Sequence, residues 1–289
     1  QILAELDDFI GMKTVKDAVR DIAQKVKTYQ ERIERGLSAE DKPAMHIVLT
    51  GNPGTGKTTI ARKLGEIFEA IGFLDTGNVV EVDRSKMVGQ YIGETPKIVN
   101  DLCDKAMGGI LFVDEAYTLT PQSSGNEKDK YGTEAVETLM KRMEDDRDKF
   151  VVIAAGYQTE MNNFLNANDG LKSRFDSKLH IDDYVPEELF EIYKLQVRKK
   201  KYILHPTAEE RLRKAITVLY ENRDRAFANA REIRRMFEET TTRLSKRLST
   251  LQNPDNEILQ TILPEDIPYE ENKAVDMEEC MKGLNELTG

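Results

Sequence analysis

The chain has 289 residues, 39% of them hydrophobic and 33% charged, with a formal net charge of -10. That length allows sizeable buried cores in one large or two modest domains, while the acidic balance weighs against a main activity on phosphate backbones. No apolar run reaches the ~18 residues of a membrane span, and two distant cysteines, Cys103 and Cys280, offer no disulfide or metal framework.

The opening QILAELDDFIGMKTVKDAVR is too charged for a signal peptide, so the cytoplasm is the expected compartment. A helical segment is predicted from about Thr14 to Arg35. The run HIVLT (His46–Thr50) reads as a buried strand, followed by a glycine-rich turn and a helix to about Gly72. The alternation then repeats. NVVEVD (Asn78–Asp83), GILFVDE (Gly109–Glu115), FVVIAAG (Phe150–Gly156) and KLHID (Lys178–Asp182) read as strands, with helices at Thr95–Ala106 and Thr133–Glu144. Runs such as ILFV and FVVIAA lack polar alternation, as expected where helices cover both faces of a sheet. The fold class is therefore α/β, a doubly wound parallel sheet over about residues 1–183.

Beyond Tyr184 the strand signals stop, and Leu212, Ala215, Ile216 and Leu219, then Ile233, Phe237, Leu244 and Leu248, recur at helical spacing. A small helical domain is expected at about 184–252. From Asn253 on, Pro254, Pro264 and Pro268 interrupt an acidic stretch that reads as a linker over 253–289. Arg198-Lys199-Lys200-Lys201 is a basic patch that reads as a solvated helix end.

The strongest chemical signal follows the first strand. Gly51-Asn52-Pro53-Gly54-Thr55-Gly56-Lys57-Thr58 fits GxxxxGK[ST], and Thr59 extends it into the helix. Between a strand and a helix, its backbone N–H groups can cradle phosphates while Lys57 reaches the β- and γ-oxygens of ATP. The Thr58 hydroxyl is the expected Mg²⁺ ligand. ILFVDE (Ile110–Glu115) ends a strand in two carboxylates at the sheet edge where those phosphates would lie. Asp114 would organise Mg²⁺, and Glu115 would polarise the attacking water. His46, His180 and His205 have no metal-like spacing and read as structural.

Together, GNPGTGKTT, VGQYIGET, AMGGILFVDEAYTL, FVVIAAGY, GLKSRFDSKLHIDDY and NAREIR resemble the AAA+ ATPases of the CbxX/CfqX group over about Leu6 to Leu251. The resemblance implies a P-loop NTPase domain with a helical lid, assembled as a ring, usually a homo-hexamer, that binds ATP between subunits and pulls on a protein client. It implies that Arg174 is an arginine finger acting in trans, and that Arg231 is the sensor 2 residue through which the lid meets the phosphates, with Arg234 competing. Phe9, Ile10 and Gly11 match the base pocket. Tyr157 stands where many AAA+ chains carry a polar sensor 1, which leaves that role open, with Asn162 as an alternative. Tyr117 reads as packing. In GQYIGE, Tyr91-Ile92-Gly93 falls where unfoldases carry an aromatic pore loop; the competing reading folds Tyr91 and Ile92 back onto the sheet edge. The polar stretch between Thr120 and Tyr131 reads equally as a second pore loop or a passive surface loop.

Two rival functions share the ATP site. A clamp-loader or initiator would act on nucleic acid and bind it with a steep salt dependence; an ATP-gated scaffold would show no turnover response to a client. The client itself is not legible. Residues 280–289 can also be laid on residues 2–11, so that Leu284 falls on Leu6 and Gly289 on Gly11, the mark of a tandem array in which a next module begins.

Overall fold

The computed structural model describes residue 6 and residues 9–37, 45–91, 93–120, 129–175, 177–224 and 227–269. Five strands form a parallel sheet: β1 (Ile47–Gly51), β2 (Val79–Val82), β3 (Ile110–Val113), β4 (Val151–Gly156) and β5 (Ser177–Ile181), in the order β2-β3-β4-β1-β5. Ile47 lies opposite Ile153 and Ser177, and Val113 opposite Ala154. The register puts alternate residues into two separate cores. Ile47, Leu49, Phe112 and Ile153 face α1 (Lys13–Glu34) and α2 (Lys57–Ala70), whereas Val48, Leu111, Val113 and Val152 face α4 (Glu94–Ala106), α5 (Lys130–Asp145), α6 (Gln158–Asn166) and α7 (Asp169–Arg174). The absence of polar alternation in β3 and β4 thus has its cause in helices on both faces, whereas the edge strands β2 and β5 carry polar residues and are only partly buried.

The helices form for legible reasons. In α1, Val15, Val19, Ile22, Ala23 and Val26 make one buried stripe. α3 (Arg84–Met87) is a single turn that the apolar pattern does not announce; Asp83 caps it by accepting from Lys86 N–H. Asp129 and Asn168 cap α5 and α7 in the same way. Cys103 is fully buried in α4, and burial pushes its thiol up to about 12, which makes it inert. His46 is buried: Val152 N–H donates to its Nδ1 at 3.0 Å, so its Nε2 carries the proton and donates to Met143 O at 3.2 Å.

The described residues up to Glu188, together with Asp224–Arg231, form one compact unit, and those from Leu189 to Arg223 and from Glu232 onward form a second. In the second, α8 (Pro186–Lys199), α9 (Pro206–Glu221) and α10 (Ala230–Leu248) supply the expected stripes, with Leu212, Ala215, Ile216, Ile233, Phe237 and Leu244 buried. Tyr193 is fully buried and donates to Thr240 Oγ1 at 2.7 Å.

Two expectations fail here. Strands do continue beyond Tyr184, because β6 (Ile203–Leu204) pairs in parallel with β7 (Thr261–Ile262). The stretch after Asn253 is not a linker through residue 269 either. Asp255 caps α11 (Asn256–Gln260), β7 follows, and Ile262 and Ile267 are fully buried. Two-residue strands leave no alternation to read, and the acidic reading missed that Asp266, buried, is neutralised by Arg247 Nη2 at 2.8 Å. Residues 121–128 and 280–289, on which the second loop and the tandem expectation rest, lie outside the described residues.

Candidate active site

Residues 51–58 run from the carboxyl end of β1 into the first turn of α2, whose N-terminus has no side-chain cap. Its backbone N–H groups are thus left for a ligand. Gly54 has φ 70, and a Cβ there would lie 2.0 Å from Ala228 O, so only glycine lets residues 228–231 close over the loop. Ala230 N–H donates to Gly54 O at 3.2 Å. Thr55, fully buried, donates to Asn52 O at 2.8 Å, and Tyr184 Oη donates to Thr55 O at 3.1 Å. Asn229 was not picked out from the sequence, yet it is fully buried with φ 47 and locks the arrangement. It donates to Asp183 Oδ1 at 2.8 Å and accepts from Tyr184 N–H at 3.0 Å, while Asn52 Nδ2 reaches both Asp183 oxygens at 3.0 Å. Only its place before Arg231 could have flagged it.

Lys57 Nζ donates to Gly51 O at 2.8 Å and Asn52 O at 3.0 Å, folded over its own loop. Burial lowers its pKa, Asp114 opposes that, and Arg231 adds to the lowering. Lys57 thus feels one cation, Arg231, and two carboxylates, Asp114 and Glu115. Arg231, in the first turn of α10, is exposed and belongs to the α/β unit rather than the helical one; Arg234 is exposed too. Pro53 and Thr58 are partly buried and Thr59 is exposed. Ile10 and Gly11 stand just before α1, and the methyl end of neighbouring Met12 would lie 2.8 Å from a Cβ on Gly56, which brings this segment beside the loop.

Asp114 ends β3 half-buried, its N–H held by Val82 O at 2.8 Å. Glu115 is exposed and has φ 49, the left-handed region that costs a non-glycine residue about 1–3 kcal/mol. Thr118 pins that conformation by donating to Glu115 O through N–H (2.9 Å) and Oγ1 (2.7 Å). Tyr157 lies beside Lys57, whose Nζ is 5.8 Å from its ring centroid, and Tyr117 packs against Tyr157 at 6.0 Å. Asn162 is exposed on α6. Among the described residues, no three His, Cys, Asp or Glu side chains converge as a metal site. One hydroxyl and one carboxylate, Thr58 and Asp114, still fit Mg²⁺, which keeps waters and phosphate oxygens as its other ligands.

Arg174, at the end of α7, donates to Gly170 O at 3.0 Å and stands 3.4 Å from Glu144 Oε2, while its buried Nε has no hydrogen-bond partner. Tyr91 is 70% exposed, so its ring does not fold back onto the sheet edge. The backbone beneath it is fixed: Gln90 and Tyr91 N–H groups both donate to Glu94 Oε2 at 3.1 Å, and Gly89 N–H donates to buried Thr95 Oγ1 at 3.1 Å. Gly93, with φ 85, turns the chain into α4, and Ile92 lies outside the described residues. Among the described residues no helix is long and apolar enough to cross a membrane.

Residues 47–183 match the family model described as the ATPase family associated with various cellular activities (AAA), and residues 185–277 match that of the AAA lid domain. Protein CbbX of Cereibacter sphaeroides is 42% identical over 270 residues, covering 92% of this chain and 85% of the relative. Stage V sporulation protein K of Bacillus subtilis (strain 168) is 38% identical over 275 residues, 95% and 84% of the two chains. A chloroplastic ribulose bisphosphate carboxylase/oxygenase activase of Cyanidioschyzon merolae is 40% identical over 249 residues, 86% and 83%. The crystal structure of the FIGL-1 AAA domain in complex with ADP superposes with a TM-score of 0.61 at 18% identity, covering 95% of this chain and 88% of that one, a likeness of fold alone. The family models and relatives matched over most of their length agree: the chain belongs to the AAA+ ATPases of the CbxX/CfqX group and is an ATP-hydrolysing enzyme.

Proposed function

We propose that the chain works in a homo-oligomeric ring, a hexamer in the family's usual form, that remodels a protein client in the cytoplasm at the expense of ATP. The observation that carries the reading is Tyr91: a large ring, 70% exposed, on backbone pinned by Glu94 and Thr95. An exposed aromatic costs solubility unless it has a partner, and a ring can stack on any extended chain without demanding a sequence. Tyr91-Ile92-Gly93 is assigned as that grip. The net charge of -10 disfavours nucleic acid as the client.

In the ATP site, Gly51 to Thr59 and Lys57 hold the phosphates, Thr58 and Asp114 hold Mg²⁺, Glu115 polarises the attacking water, and Ile10 and Gly11 border the base. Arg231 neutralises phosphate charge from within its own subunit. Arg174, only loosely answered by Glu144, reaches the neighbour's nucleotide. The nucleotide domain is taken as residues 1–183 and the lid as beginning near 184.

Glu115→Gln should retain ATP with hydrolysis slowed at least about a hundredfold, as loss of a general base implies, and should co-purify with the client as a ring whose subunits electron microscopy counts. Adding Tyr91→Ala to that variant should release the client while leaving the ring and its ATP intact. A client still captured without the tyrosine ring would overturn the grip. Hydrolysis by Glu115→Gln at the parental rate would overturn the base.

A further inference from the structure

We infer that Glu188 reads the base: its carboxylate accepts a hydrogen bond from the 6-amino group of adenine and turns away purines that carry an oxygen at that position. The inference rests on the proposed place of the base beside Ile10 and Gly11, and it names the side chain that chooses the base there. Glu188 belongs to the α/β unit, in the first turn of α8, and is half-buried. Val185 N–H donates to its Oε2 at 2.9 Å, which fixes the carboxylate. The carboxylate lies against the segment that precedes α1. A Cβ on Gly11, which has φ 66, would stand 2.5 Å from Glu188 Oε1 and 3.0 Å from Oε2, so only glycine lets the two approach.

That segment is itself held in place and joined to the phosphate loop. Lys16 Nζ donates to Phe9 O at 2.6 Å, and the methyl end of Met12 lies over Gly56. Tyr184 Oη, which donates to Thr55 O, would stand 3.6 Å from a Cβ on the same Gly56. Burial, with a smaller push from nearby Glu188, drives the Tyr184 phenol up to about 12. Glu188 therefore stands where the base segment meets the phosphate loop. Drawing a carboxylate out of water costs free energy unless donors answer it. Among the described residues Val185 N–H is its hydrogen-bond donor and no Lys or Arg pairs with it, so Oε1 retains its capacity to accept. An ionised carboxylate can only accept. Adenine offers it two N–H donors on C6, whereas hypoxanthine and guanine in the same orientation bring an oxygen whose lone pairs face it. A site built to hydrogen-bond one group rejects an analogue without that group more strongly than shape alone does.

The test compares diphosphates, which are not turned over, on the full chain by calorimetric titration. The parent should bind purine riboside diphosphate, which lacks the 6-amino group, about tenfold or more weaker than ADP, and IDP at least as weakly, the scale of one charge-assisted hydrogen bond. Glu188→Gln is the sharper variant. Val185 N–H keeps the amide oxygen on its own side, so the amide NH₂ takes the place of Oε1 and presents a donor to the base. ADP should then weaken and IDP tighten, lowering the ADP:IDP affinity ratio about tenfold or more. Glu188→Ala should bring ADP and purine riboside diphosphate within about twofold of each other. These are ratios within one chain, so a general loss of affinity or fold does not imitate them. A residue that merely caps α8 would weaken all three nucleotides alike and leave the parental ratios, which would overturn the inference. So would a parent that binds ADP and purine riboside diphosphate equally. Photolabelling the parent with 8-azido-ATP should mark the peptide carrying Ile10 and Gly11. That label together with unmoved ratios would overturn the role of Glu188 alone, whereas a label elsewhere would overturn the place of the base as well.

Discussion

His46 illustrates how much one buried side chain can hold. It sits at the foot of β1, accepts from β4 and donates to the last turn of α5. Burial, with a smaller push from Arg174, drives its pKa from 6.5 down to about 4. Below pH 6.5 the unfolded chain takes up a proton that the folded chain refuses, so the contribution of His46 is complete above that pH and is lost as pH falls towards 4. The loss amounts to about 3 kcal/mol by pH 4. A His46→Gln chain keeps one donor and one acceptor, so it should start less stable at pH 7 and lose less on acidification. Unfolding free energies of the two chains should converge between pH 6.5 and 4; parallel curves would show that His46 charges readily in the folded state. The structural reading of His46 needed only its lack of metal spacing, but its partners, about a hundred residues away, could not be read. Lys57 and Glu115 were legible because the groups that hold them, Gly51 and Asn52 for the one and Thr118 for the other, are close by in the chain. Asn229 and Asp183 were not, because the partners that hold them together are distant in the chain.

Among elements, the strands and long helices of the α/β unit were legible from continuous apolar runs and stripes, whereas the short pieces were not. α3 is defined by a cap, and β6 and β7 by their pairing, neither of which leaves a period in the sequence. What fixes β7 is an ion pair. Arg247 on α10 donates through Nε and Nη2 to Asp266 and through Nη2 to Thr261 O at 2.9 Å, while Asp266 Oδ2 also accepts from Leu263 N–H. Asp266 is 1% exposed, so removing it strands a guanidinium that is only 18% exposed. Asp266→Ala should therefore cost about 3–5 kcal/mol. Calorimetry should register this as a lowered transition of the helical unit, and nucleotide affinity at the α/β site should be retained at temperatures below that transition. A chain whose melting is unchanged would mean that the segment after α10 adds nothing to the helical unit's stability.

At the scale of the whole molecule, the question is whether one subunit contains a complete site. Arg174 stands at the end of α7, tethered by one backbone carbonyl and one exposed glutamate, with a buried Nε left unanswered. If Arg174 serves a neighbouring subunit, as proposed, it acts in a reaction in which a finger supplied in trans accounts for roughly 10³–10⁵ of the rate. Arg174→Ala subunits should then bind ATP and scarcely hydrolyse it, and Glu115→Gln subunits should do the same for a different reason. Random mixing of the two in equal amounts restores a complete site wherever an Arg174→Ala subunit, which keeps its base, is served by a Glu115→Gln neighbour, which keeps its finger. That makes roughly a quarter of the interfaces of a cyclic ring competent, and turnover of the mixture should rise to about that fraction of the parental value. If Arg174 acted on its own subunit's nucleotide, no mixture could restore a site, and the combined rate would remain the average of two inactive chains. The mixing curve therefore separates a shared site from a self-contained one, with maximal recovery at equal proportions of the two variants.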